Sequence, residues 1–170
     1  MDLIRPSLVI RPSRDDDVAS IAPIYAESVA TGTASWEVEP PSVEEFAARR
    51  REILAKAFPY FVAELDGNVV GYSYASSYRS RIGYRFTIED SVYVSPAAAG
   101  RGVGKALLNR LVEACRERGF RSMVAVIGDS NNRASIALHE ACGFHLVGVF
   151  PELGFKFDRW LDSVQMMRRL

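Results

Sequence analysis

Residues 91–108 constrain the fold more than any other stretch of this chain. Ser91-Val92-Tyr93-Val94 reads as a β-strand, Gly100, Gly102 and Gly104 alternate in the loop that follows, and an amphipathic helix begins at once. Leu107, Leu108, Leu111, Val112 and Cys115 fall on one face of that helix, and Gly119 closes it. A strand passing into a helix over glycines leaves the first helical amides without intrahelical partners. Their dipoles then favour a bound anion. Glycines also let the backbone approach that anion closely, so the loop suits a pyrophosphate; plain strand-to-helix turns use glycine as well.

The rest of the chain supplies the partners such a unit needs. Leu8-Val9-Ile10-Arg11 is a short strand, and Asp15, Asp16 and Asp17 cap a helix carrying Val18, Ile21, Ile24, Tyr25 and Val29. Pro23 inside that pattern predicts a kink or an early break. Thr31 to Pro41 reads as a loop. Ser42 with Glu45 then forms a capping box for a helix whose Phe46, Ile53 and Leu54 face inward. Asp66-Gly67 joins Tyr60–Leu65 to Val69–Ser76 as a β-hairpin, because this dipeptide accepts the backbone angles of a tight antiparallel turn. Phe86–Val94 and Met123–Ile127 are further strands. Asn132–Cys142 is a helix closed by Gly143, and Phe144–Phe150 and Ser163–Met167 finish the chain as strands. The expected fold is α/β: a single domain over residues 1–170, with a mixed, mostly antiparallel central sheet flanked by helices.

Bulk properties exclude several functions. With 21 basic and 21 acidic side chains among 170 residues, no net field draws the chain to nucleic acid or an anionic membrane. Met1-Asp2-Leu3-Ile4-Arg5-Pro6 opens no targeting segment, no apolar run is long enough to span a bilayer, and a cytoplasmic protein is expected. Cys115 and Cys142 read as buried reduced thiols, with no metal-binding pattern around them.

The segment from Ser91 to Leu108 resembles the coenzyme A loop of the GNAT acetyltransferase superfamily, whose motif is Gln/Arg-x-x-Gly-x-Gly/Ala. Gly102 and Gly104 match it, and Ala99 stands in place of the usual Gln or Arg. Asn132-Arg133-Ala134-Ser135-Ile136-Ala137-Leu138-His139-Glu140-Ala141-Cys142-Gly143-Phe144 is similar to the family's second signature. The resemblance implies acetyl-CoA as co-substrate and no metal. Backbone amides of Gly100, Arg101, Gly102, Val103, Gly104 and Lys105 would hold the pyrophosphate. The strand edge at Val92, Tyr93 and Val94 would hold the pantetheine, with Asn132 and Ser135 nearby. Asn132 also suits the helix N-cap.

Acetyl transfer to an amine needs a base for the ammonium and an acid for the departing thiolate. Alternation on the strand before the loop sets Thr87, Glu89, Ser91 and Tyr93 on one face and Phe86, Ile88, Val92 and Val94 on the other, with Asp90 the polar exception. Glu89 is the expected general base, directly or through a water; otherwise it is a solvated strand carboxylate. Asp90 takes the role if a bulge shifts the register. Aligned on Gly143-Phe144, His139 falls where the family often has an acidic Tyr, and an imidazolium supplies a proton near neutral pH.

Four stretches narrow the resemblance to the phosphinothricin and methionine sulfoximine N-acetyltransferases: Thr33-Ala34-Ser35-Trp36-Glu37, Tyr78-Arg79-Ser80-Arg81, Glu89-Asp90-Ser91-Val92-Tyr93-Val94 and Gly154 to Asp162. They imply a small amino-acid analogue as acceptor, met by Trp36, Arg79, Ser80, Arg81, Glu89, Asp90 and Ser91. Arg79 and Arg81 would clamp its carboxylate or phosphinate. Trp36 and Phe86 wall the acceptor pocket or belong to the core, with core the preferred reading for Phe86. Lys156, Arg159 and Trp160 shape the cleft or a contact, and the Phe150 to Trp160 segment suits a homodimer. The rival readings are acetylation of a protein N-terminus or a polyamine, and a non-catalytic acetyl-CoA sensor.

Overall fold

A computed structural model describes residues 7–170; the hexapeptide Met1–Pro6, read above for targeting signals, lies outside the described residues. Seven strands form one sheet: β1 (Leu8–Pro12), β2 (Tyr60–Leu65), β3 (Asn68–Ser77), β4 (Thr87–Val94), β5 (Ser122–Gly128), β6 (His145–Lys156) and β7 (Arg159–Arg169). Four helices accompany it: α1 (Val18–Thr31), α2 (Val43–Ala55), α3 (Val103–Glu117) and α4 (Arg133–Ala141). The spatial order is β1-β2-β3-β4-β5-β7-β6, and β4 with β5 is the parallel pair. The α/β architecture with a mixed, mostly antiparallel sheet is the one expected.

Each face of the sheet buries its own apolar set. On one side Ile88, Met123 and Met166 pack under Leu107, Leu108 and Leu111 of α3, with Ile136 and Leu138 of α4 at the margin. On the other, Ile21 and Val29 of α1 and Phe46 of α2 cover Tyr60, Val62 and Tyr72. Tyr72 stacks on Tyr60 and on Tyr93, which builds an aromatic layer across three neighbouring strands.

Pro23 lies within α1 without ending it, and helix continues to Thr31. Its missing amide removes one hydrogen bond, while the buried stripe of Ile21, Ala22, Ile24, Tyr25 and Val29 holds the segment against the sheet. In α2 the Ser42 hydroxyl accepts from the Glu45 amide as expected, but the Glu45 carboxylate pairs with Arg49 instead of closing the capping box, and Leu54 points outward. The inward positions are Phe46, Arg50 and Ile53, at helical spacing, with the Arg50 guanidinium reaching Ser13 and Asp15. Phe86 is exposed under the Arg85 guanidinium, outside the core, just before β4 begins.

The last two strands run further than expected and meet at Phe157-Asp158, both with positive φ. Asp66-Gly67 takes the same left-handed conformations between β2 and β3. Among the described residues no helix is long and apolar enough to cross a membrane, and no group of three or more His, Cys, Asp or Glu side chains is placed to hold a metal ion.

Candidate active site

The sheet opens where β4 and β5 part. Their parallel pairing covers Thr87 with Ser122, Ile88 with Met123 and Glu89 with Val124, and then stops. β4 continues to Val94, still paired to β3 on its other side, so one backbone edge of Asp90–Val94 has no strand partner. Two cavities meet at this split and share Val92, Tyr93, Ala34 and Ser135 in their walls.

The larger cavity, about 450 Å³, is walled by Val92–Val94, the loop from Ala98 into α3, and Asn132, Ser135 and Leu138. Gly102 is the N-cap of α3 in a left-handed conformation, and no side chain caps the helix. The amides of Val103, Gly104 and Lys105 therefore face the cavity end without an intrahelical partner. Gly100 also has positive φ, and a Cβ on either glycine would meet nothing within 4 Å. Backbone conformation, not crowding, selects glycine at both positions. Gly104 differs: a Cβ there would press on Leu138 of α4 at 3.2 Å. Lys105 is exposed in the cavity wall, whereas Arg101 is exposed outside it, 3.8 Å from Asp66. Asn132 caps α4 by accepting from the Ser135 amide at 3.2 Å and also lines the cavity. These residues fit a coenzyme A diphosphate and pantetheine arm: unpaired amides for the anion and a free strand edge for the arm.

The second cavity, about 210 Å³, brings together Trp36, Glu89, Asp90, Ser91 and His139, with Ser35 and Tyr74 completing its polar wall. Burial, with the charge of Asp90 adding to it, pushes the Glu89 carboxyl up to about 7. Near neutral pH such a group is about half ionised, which suits a proton acceptor. Asp90 leaves the opposite face of β4 and is buried against α4. Its Oδ2 lies 3.0 Å from Nε2 of His139, whose Nδ1 lies 2.7 Å from the Ser135 carbonyl. Both ring nitrogens thus face acceptors, an arrangement the imidazolium satisfies by donating twice. Burial opposes that charge, yet the Asp90 hydrogen bond and charge, with the Ser135 carbonyl, outweigh it and raise the His139 pKa. The other carboxylate oxygen, Oδ1, is buried without a partner.

Arg79, Ser80 and Arg81 stand apart from this group. They are exposed and line a separate surface hollow with Tyr84, where the Arg79 guanidinium lies over the Tyr78 ring. Lys156 is buried and donates to the Gly32 and Ser35 carbonyls, Arg159 pairs with Asp129, and Trp160 is exposed against Phe155. Sequence reasoning missed Tyr74 and Ser35. Tyr74 pairs directly with Ser91 across β3 and β4, a register fixed by the Tyr72/Tyr74 alternation once β4 is placed. Nothing local marks Ser35, which is recruited by a hydrogen bond to the Tyr25 hydroxyl at 2.9 Å.

Residues 21–144 match the acetyltransferase (GNAT) family. The chain is 49% identical to a phosphinothricin N-acetyltransferase of Alcaligenes faecalis over 100% of its own length and 86% of the relative's. It is 39% identical to an L-methionine sulfoximine/L-methionine sulfone acetyltransferase of Salmonella typhimurium, covering 96% of this chain and 95% of that one. Among solved structures, a GNAT superfamily phosphinothricin acetyltransferase from Sinorhizobium meliloti in complex with AcCoA superposes with a TM-score of 0.92 at 48% identity, covering 96% of this chain and 88% of that one.

Proposed function

The chain belongs to the GNAT acetyltransferase family, and from that premise we propose that it moves the acetyl group of acetyl-CoA to the α-amine of a small amino-acid analogue such as L-phosphinothricin, methionine sulfoximine or methionine sulfone. The observation that most supports this reading is the junction of the two cavities at Val92 and Tyr93. A donor laid along the free edge of β4 presents its thioester beside Glu89.

In this reading Glu89 takes a proton from the incoming ammonium, directly or through a water, which frees the nitrogen lone pair to attack the thioester carbonyl. Its pKa of about 7 leaves enough carboxylate to accept and enough basicity to hold the proton. Backbone groups at Val92–Val94 orient the carbonyl, and the amides from Gly100 to Lys105 hold the pyrophosphate. His139 supplies the proton to the departing thiolate. Because both of its ring nitrogens face acceptors, delivery requires the Asp90 hydrogen bond to open, while Asp90 favours the charged ring until it does. Ser91 and Trp36 bound the acceptor; Arg79, Ser80 and Arg81, in their separate hollow, take no part in this reading.

Two further assignments accompany the activity. Val149, Phe150, Leu153 and Phe155 on β6 are exposed, an apolar surface suited to a second copy of the chain and hence to a homodimer. A cytoplasmic enzyme of this kind would confer resistance to a herbicide or antibiotic carrying the acetylated amine.

The test is release of free coenzyme A from acetyl-CoA, with L-phosphinothricin, methionine sulfoximine, methionine sulfone, spermidine and an N-terminal peptide offered separately. Turnover confined to the amino-acid analogues is expected. Turnover only with spermidine or the peptide would keep the donor and discard the acceptor; no turnover with any amine would favour a sensor.

A further inference from the structure

Lys156 stands on β6 at the last position before the turn into β7, and it is only 2% exposed. A lysine this deeply buried ordinarily faces a carboxylate. Among the described residues none lies within ion-pair distance of Nζ; the ammonium donates instead to the Gly32 and Ser35 carbonyls, each at 2.9 Å, across more than 120 residues of chain. The Phe157 ring lies 5.0 Å from it. Burial holds the Lys156 pKa below its ordinary value, against the charge of Glu37, so this cation is not placed there for its own stability.

The two carbonyls bracket the segment just before Trp36, and further contacts from α1, β5 and β6 hold that segment in place. The Thr33 hydroxyl donates to the Gly128 carbonyl, and the Tyr25 and Ser35 hydroxyls are bonded to each other. Gly154, two positions before Lys156 on β6, makes room for the Trp36 indole against the strand: a Cβ there would stand 2.0 Å from the ring. Ala34, Ser35 and Trp36 then form the wall of the cavity that holds Glu89.

We infer that Lys156 is a positioning residue for acceptor recognition, its ammonium latching the loop from Gly32 to Trp36 against the β6–β7 hairpin so that Ser35 and Trp36 wall the amine site. The inference rests on reading the Glu89 cavity as that site. The donor cradle touches neither Lys156 nor Trp36 and meets the latched loop at Ala34 alone, so loss of the latch weighs on the acceptor far more than on the donor.

Lys156→Met keeps the chain length and apolar bulk and removes the donors. With the full-length protein and the best amine from the panel, the acceptor KM should rise about tenfold or more, as expected for lost hydrogen bonds to a charged group, while the acetyl-CoA KM stays nearly unchanged. A second readout needs no turnover. The chain has two tryptophans, so in a Trp160→Phe background Trp36 alone emits, and adding Lys156→Met should move its emission to longer wavelength and increase acrylamide quenching. Unchanged acceptor KM and unchanged Trp36 emission would overturn the inference, as would equal rises in both KM values. If the wild-type protein acetylates none of the amines, the proposed function fails but the Trp36 emission still decides whether the latch exists. Should the Met variant not fold, Lys156→Gln, which keeps an N–H pair without the charge, is read by the same two measurements and should shift both in the same direction by less.

Discussion

Replacing Glu89 with Gln should make the enzyme slower and the protein more stable, and both effects follow from one number. The Glu89 carboxyl is pushed from 4.5 to about 7, chiefly by burial and then by Asp90. At about 1.4 kcal/mol per pH unit, that difference corresponds to about 3 kcal/mol held against the ionised form. In the unfolded chain Glu89 ionises at its ordinary pKa, so between pH 4.5 and 7 the folded state binds more protons than the unfolded one. Stability is then lost as pH rises through this window. Below it both states are protonated and the cost vanishes; above it the full cost is present. Gln carries no charge at any pH. The Glu89→Gln variant should therefore melt like the wild type near pH 4 and, at pH 8, several degrees higher, since about 1 kcal/mol moves Tm by roughly 2–4 °C in a chain of this size. Over the same range kcat/KM for the amine should fall by about 10²–10⁴, the usual contribution of a positioned base. Calorimetry at the two pH values and a thiol-release assay at pH 7.5 read both. A Tm difference independent of pH would show that Glu89 is not held neutral by its surroundings, and wild-type turnover in the variant would remove it from the chemistry.

Three other outcomes are expected. His139→Ala leaves Asp90 buried without its cation, so stability should fall by about 3 kcal/mol or more near neutral pH, with kcat reduced; a normal kcat in the folded variant would retire His139 as the acid. Gly102→Ala forces a left-handed alanine at the N-cap of α3, at about 1 kcal/mol, and should raise the acetyl-CoA KM several-fold without moving the acceptor KM, so equal KM values in variant and wild type would argue against amide binding of the pyrophosphate. Phe150→Glu places a charge on the exposed apolar face of β6 and should convert a dimer into a monomer by light scattering; a wild-type protein of 18.9 kDa in solution would remove the dimer.

The glycine loop beside the larger cavity was legible in the sequence because its conformation is set locally, although Asn132, Ser135 and Leu138 complete that cavity from afar. Gly100 and Gly102 take positive φ and α3 starts without a side-chain cap, whereas Gly104 is selected by its contact with Leu138. The acceptor side was legible only in part. Glu89 and Ser91 were placed by strand alternation, but the wall at Ser35 and Trp36 depends on Lys156 reaching across the fold and on a hairpin whose turn, Phe157-Asp158, carries none of the usual glycine signal. Arg79 and Arg81 carry the right chemistry for an oxyanion, yet the backbone sets them in a hollow of their own. Leu54 was misplaced because apolarity alone does not say which stripe of a helix faces in; Arg50, anchored by Ser13 and Asp15, took that side.

Asp90 explains why the two candidate proton carriers differ in character although they share a cavity. Its charge is the second cause of the raised pKa at Glu89, and its hydrogen bond and charge raise the His139 pKa against burial. One buried carboxylate thus biases a neighbouring acid toward the neutral form and a neighbouring base toward the cation, both by the same Coulombic sign. The strand geometry makes this possible, because consecutive residues point to opposite faces: Glu89 belongs to the tyrosine-lined side and Asp90 to the α4 side, close enough to interact through the sheet and too differently oriented to share one proton. Removing that charge should pull the Glu89 pKa down and the His139 pKa down together, so the acid and alkaline limbs of the pH–rate profile are expected to shift in the same direction on Asp90→Asn.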